Sequence, residues 1–173
     1  MEFEKLQTAI INYYRTVDTK QQRAWGTGQH LAAALFDLDL NLADFAKTKR
    51  LGGGSTNSGR TAKQAYLEAL KTFVLLATLL HWNQQIQLSS TGLAKIQQLP
   101  VDDNPKQITL YLAIKNMLLK AYYQHDQDCF QHAWQLFLKW GLVDDGYQPE
   151  ALVAELLAQV TEKTAQMVNH EGE

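Results

Sequence analysis

The side chains best suited to chemistry are two aspartates seven residues apart, Asp37 and Asp44, in the run AAALFDLDLNLADFAKTK that ends at Lys49. Read as a helix, the run carries its leucines on one stripe and sets both carboxylates along the border of that stripe. A carboxylate drawn out of water needs a counter-charge, and a divalent cation is the partner that most rewards several carboxylates on neighbouring helices. The alternative is a solvated helix edge, with Lys47 and Arg50 near enough to screen the acids. Asp39 points about 200° away from Asp37 and reads as surface. On the following helix, Glu68 either joins a metal site or pairs with Lys71 or Lys63 of its own helix.

The remaining reactive types offer less. His30, His81, His125, His132 and His170 form no HExxH or comparable ligand spacing. The single cysteine, Cys129, excludes an internal disulfide framework and reads as a small buried apolar residue. The glycine-rich run LGGGSTNSGR, Leu51 to Arg60, lacks the GxxxxGK[ST] spacing of a phosphate loop and follows a helix, so it reads as a flexible connection. Trp134, Phe137 and Trp140 read as packing against the core or a partner subunit, with base stacking the minor alternative.

Composition bounds the whole. The 173 residues are 46% hydrophobic and 20% charged, enough for one sizeable core in a single domain over residues 1–173. Sixteen Lys and Arg are scattered among eighteen acids for a net charge of -2, which gives no general attraction to nucleic acid or to an anionic membrane. The N-terminal run MEFEKLQTAIINYY lacks an apolar signal core, and the most apolar stretch, Phe73 to Leu80, is far shorter than the roughly 20 residues that span a bilayer. A soluble cytoplasmic protein is the expectation.

Three prolines and a three-to-four-residue apolar period make nearly everything between the breaks helical. The first helix carries Phe3, Leu6, Ile10, Tyr13 and Tyr14 and ends near Asp18. The second starts at Thr27 or Gly28, with Thr27 as a candidate N-cap, and stops at Gly52. Thr61 caps the third, which runs to about Trp82 and is apolar on almost every side, as the centre of a core would be. A short segment from Thr91 to Leu99 follows, then helices from Pro105 to Tyr123, from His125 to Trp140 with Gly141 as terminator, and from Pro149 to about Asn169.

The opening FEKLQTAIINYY, the second-helix set Asp37, Leu40, Asp44 and Lys49, the third-helix run AYLEALKTF and the C-terminal LLAQVTEKTAQM together resemble a known family. It is the all-α nucleoside triphosphate pyrophosphohydrolases, the superfamily of MazG and the dimeric dUTPases, and the dUTPase branch most of all. That branch shows an LxxLQ-type first helix, then ExxExxxE with a lysine five residues on, then ExxDxxHF, and finally KNxxNxxRQ. Two acids and the lysine match in the second helix and Glu68 matches in the third, while Leu40, Ala65 and Lys71 depart from the pattern. In the last segment Lys163 and Gln166 stand near the family's nucleotide contacts without being identities.

The resemblance implies an all-α bundle of about six to seven helices. It implies Mg²⁺ on Asp37, Asp44 and Glu68, with fewer ions than in complete sites, and nucleotide contacts from Lys49, Lys71, Lys163 and Gln166. The reaction implied is cleavage of dUTP or a related nucleoside triphosphate to the monophosphate and pyrophosphate, in which Mg²⁺ neutralises the polyanion and activates water. A homodimer is implied as well, and the strongly apolar third helix would suit one. The departures define the alternative, a catalytically silent relative that keeps the scaffold to bind a nucleotide or a protein, with Lys71 replacing the charge of a missing cation.

Overall fold

The computed structural model describes residues 3–50 and 59–169. Within them the fold is all-helical, with seven α-helices: α1 (Phe3–Lys20), α2 (Thr27–Arg50), α3 (Ala62–Leu79), α4 (Ser90–Gln97), α5 (Asn104–Gln124), α6 (Gln127–Lys139) and α7 (Pro149–Asn169). A 3₁₀ turn, Asn83–Ile86, precedes α4, and a π-helical turn, Trp140–Asp144, prolongs α6. Among the described residues no helix is long and apolar enough to cross a membrane. The glycine-rich connection and the stop at Gly52 lie outside the described residues, apart from Gly59 and Arg60.

Helix α3 forms because its start is locked and its length is apolar. Thr61 Oγ1 accepts from Gln64 N at 3.2 Å, and Gln64 Oε1 accepts from Thr61 N at 2.9 Å, a reciprocal capping box that satisfies two orphan donors. From Ala65 to Ala77 every α3 residue is buried except Glu68 and Lys71. Helix α2 packs along it most extensively and adds Leu38, Leu42 and Phe45 to the same core. From α6 come Phe130, Trp134 and Phe137, whose ring centroids lie 5.2–5.3 Å from that of Phe73, while Tyr66 stacks on Phe137 at 4.5 Å. The aromatic helix therefore faces its own core. The apolarity of α3 between Ala65 and Ala77 is likewise buried inside the chain.

Several helix ends differ from expectation. Helix α2 begins with Thr27 already helical, and the carbonyl of Gly26 accepts from Gln29 N and His30 N. His125, read as the start of a helix, instead closes α5 in a left-handed conformation (φ 54°), and Asp126 caps α6 by accepting from Cys129 N at 3.0 Å. Cys129 is half-buried in that first turn, not core. Asp39, expected at the surface, joins α2 to α5: Tyr111 Oη donates to Oδ1 at 3.1 Å and Lys115 Nζ to Oδ2 at 2.7 Å.

Gly141 does not terminate α6. The chain runs through it as the π turn, and position 141 lacks a side chain because Tyr66 occupies the space one would need: a Cβ on Gly141 would lie 2.1 Å from Tyr66 Cζ. Tyr66 is fully buried and donates to the Phe137 carbonyl at 3.3 Å, so it has little room to retreat. Alanine is favoured over glycine by about 1 kcal/mol on helix propensity, yet overpacking a tight core costs about 1–3 kcal/mol and here the overlap is severe. Gly141→Ala is expected to lower stability by about 2 kcal/mol net in urea denaturation. An unchanged or higher midpoint would contradict the packing described.

Candidate functional site

Glu68 and Lys71 are one helical turn apart on α3, so the only charged side chains in its buried stretch share one edge. Along that edge lies a cavity of about 340 Å³. Tyr13 and Tyr14 of α1, Asp37, Leu40 and Asn41 of α2, and Thr72 of α3 line it with Glu68 and Lys71. Arg23 and Arg60, from the segments that lead into α2 and α3, complete the polar wall.

The charged groups are cross-linked. Lys71 Nζ binds the Glu68 carboxylate and sits 5.6 Å from the centroid of the Tyr13 ring. From α7, Lys163 Nζ reaches Glu68 Oε1 at 3.3 Å. Arg60 donates to Asp44 Oδ2 at 2.6 Å and to Asn41 Oδ1 at 3.2 Å, and Asn41 Nδ2 donates to Thr72 Oγ1 at 3.2 Å. Thr72 in turn donates to the Glu68 carbonyl at 2.6 Å, so one hydrogen-bonded chain runs from the buried Asp44 to α3. Tyr14 Oη and His30 Nδ1 share a hydrogen bond of 2.6 Å, and the Arg23 guanidinium lies 4.4 Å over the Trp25 ring.

The two carboxylates bordering the cavity respond to this field in opposite senses. At Glu68 burial opposes ionisation, but Lys71 and Lys163 overcome it and hold the carboxyl below its ordinary 4.5. At Asp37, an exposed residue whose carboxyl is only partly shielded from water, that partial desolvation raises the pKa, with Lys71 and Arg23 pulling it back only in part. Lys71 thus acts on both acids, bound to one and felt by the other.

Of the residues singled out by sequence, the structure gathers Asp37, Glu68 and Lys71 around the cavity and brings Lys163 onto Glu68. Asp44 is outside the cavity lining, behind Arg60. Lys49 is bound to Asp145, and Gln166 donates to Glu162 Oε1 at 3.1 Å within α7. Leu40 forms part of the cavity wall and is half-exposed, whereas Ala65 is fully buried. Among the described residues no group of three or more His, Cys, Asp or Glu side chains is placed to hold a metal ion.

No family model, curated protein or solved structure matches the chain. The likeness to the all-α pyrophosphohydrolases thus rests on the residues of this chain alone. Several cavity residues had no place in that likeness. Arg23 falls in a break between helices and Arg60 at the end of a glycine-rich run, where composition signals connection, not chemistry. Tyr13 and Tyr14 fall inside the opening run that carries the likeness, but there they read as part of an apolar stripe and not as site residues. Asn41 was legible in principle, one turn after Asp37 on the same face.

The geometry makes a pH prediction. Because the folded pKa of Glu68 is lowered, its contribution to stability is present above its ordinary 4.5 and is lost as pH falls through the folded value. In Lys71→Met the carboxyl ¹³C titrations of both Glu68 and Asp37 should move upward, Glu68 more. Titrations that coincide with those of the unaltered protein would rule out Lys71 as the group that sets them.

Proposed function

We propose that the cavity between α1, α2 and α3 binds a nucleotide without hydrolysing it, the Lys71 ammonium taking the electrostatic part that Mg²⁺ plays in the hydrolytic reading. The observation that carries this is Lys71 itself, bound to Glu68 and acting on Asp37 across the interface between the two acid-bearing helices. A metal at that edge would have to compete with Lys71 and Lys163 for Glu68 and with Arg60 for Asp44. The carboxylates are also split between a cavity wall and a buried pair, whereas Mg²⁺ demands near-octahedral oxygen ligands at about 2.0–2.1 Å.

The cavity suits a phosphorylated aromatic molecule in size and charge. Its volume, about 340 Å³, lies within the range of small-ligand sites, about 300–1,000 Å³. Arg23, Arg60 and Lys71 stand in its lining with Asp37 and Glu68, Lys71 paired with Glu68 and Arg60 with Asp44 behind the wall, and Tyr13 and Tyr14 offer ring faces beside them. In this reading the phosphate lies near Lys71 and the guanidinium groups, and the base lies against the tyrosines. Lys49 and Gln166 take no part.

Mg²⁺-dependent cleavage of dUTP or a related triphosphate is the competing reading, and what favours it is that Asp37 and Glu68 border the same cavity. Calorimetry with nucleoside mono-, di- and triphosphates in excess chelator, run beside a pyrophosphate-release assay with Mg²⁺ or Mn²⁺, separates the two. Expected are binding that survives the chelator, at least about tenfold weaker binding in Lys71→Ala from loss of one charge-assisted contact, and no pyrophosphate. Metal-dependent pyrophosphate release that disappears in Asp37→Ala would establish hydrolysis instead. Absence of heat from every nucleotide would end the binding proposal.

A further inference from the structure

Taking the cavity as a nucleotide site, we infer that His30 is a positioning residue for it: protonation of His30 turns the Tyr14 hydroxyl from an acceptor towards the ligand into a donor, so that binding tightens as pH falls. Tyr14 lines the cavity, and its Oη lies 2.6 Å from Nδ1 of His30, in the first turn of α2. Asp18 Oδ2 stands 3.8 Å from the other ring nitrogen, Nε2, and Asp18 Oδ1 is buried with no hydrogen-bond partner among the described residues. Asp18 thus has negative charge to offer an imidazolium. In the neutral ring it draws the proton to Nε2 and leaves Nδ1 as the acceptor for Tyr14.

Burial and the charge of Asp18 hold the Tyr14 pKa above its ordinary 10.0, so the hydroxyl keeps its hydrogen across the range in which histidines titrate. While His30 is neutral, that hydrogen is spent on Nδ1 and Tyr14 can only accept from a ligand. Once His30 is protonated, Nδ1–H donates to Tyr14 Oη, and the hydroxyl hydrogen is released to find another acceptor. Arg23, also in the cavity lining, acts on the same hydroxyl by charge and hydrogen bond, which places a bound phosphate beside it. A phosphate oxygen offers only lone pairs; the protonated arrangement meets it and the neutral one opposes it. Around His30 the further charges are Arg15 of α1 and His81 beyond α3, which line a recess with it, and Arg23, stacked on Trp25, whose ring centroid lies 5.4 Å from that of His30. Asp37 of α2 acts on Tyr14.

Nucleotide affinity of the unaltered protein and of Tyr14→Phe, each at about pH 8 and about pH 5.5, tests this, because the ratio of the two cancels titration of the nucleotide phosphate and of His81. The ratio should rise about tenfold at the lower pH, the worth of one charge-assisted hydrogen bond, and should stay flat when both proteins also carry His30→Gln. A ratio in the unaltered pair that does not change with pH overturns the inference. Imidazole ¹⁵N spectra of the ligand-free, unaltered protein test it without any variant. Neutral His30 should hold its proton on Nε2 and gain Nδ1–H on acidification, whereas a neutral ring already protonated at Nδ1 overturns the inference. A nucleotide that binds at neither pH ends the binding reading, and the hydrogen-bond reversal then stands or falls on those spectra.

Discussion

Helix α3 is enclosed by the rest of the chain, and between Ala65 and Ala77 it keeps one open edge. Two charged residues lie in that stretch, and the helical repeat forces both onto the edge, where burial of their neighbours leaves them short of water. Each then needs a partner close by, and Glu68 and Lys71 supply one another. The cavity, the opposite pKa shifts of Glu68 and Asp37, and the reach of Lys163 from α7 follow from that enclosure. So does the polar chain through Thr72 and Asn41 to Arg60 and Asp44, which gives buried polar groups on two helices their hydrogen-bond partners.

An acidic edge between two helices can be neutralised in two ways. Divalent cations arrive from solution and bring an open coordination position for substrate. Lysine and arginine arrive with the sequence, fix their charge in place and bring donors but no Lewis acidity. At Glu68 and Asp44 lysine and arginine side chains pair with the acids, and the proposed binding without hydrolysis rests on that pairing.

Fold class and most helix bodies were legible because they depend on apolar periodicity and on a few caps with clear chemistry, Thr61 and Pro149 among them. The ends were less so. His125 closes α5 with a left-handed backbone that glycine or asparagine would have advertised, and Gly141, which read as a helix terminator, instead makes room for Tyr66, a residue far away in sequence. For the site, Glu68 and Lys71 were legible as neighbours because they sit at helical spacing on α3, whereas the approach of Asp37 from α2 was suggested only by the family resemblance. Arg60 on Asp44 and Lys163 on Glu68 were not, since tertiary packing alone decides which cation meets which acid. Asp39 shows the same limit: its angle on the helix wheel says where it points, but the arrival of α5 decides what it meets.

Paramagnetic titration is the most direct probe of whether a lysine has taken a metal's place at the α2–α3 edge. With Mn²⁺ added to stoichiometry and no nucleotide present, the account predicts that the carboxyl ¹³C signals of Asp37, Asp44 and Glu68 keep their intensity. Selective broadening of those three signals, relieved by excess Mg²⁺, would show a cation bound among them and contradict it.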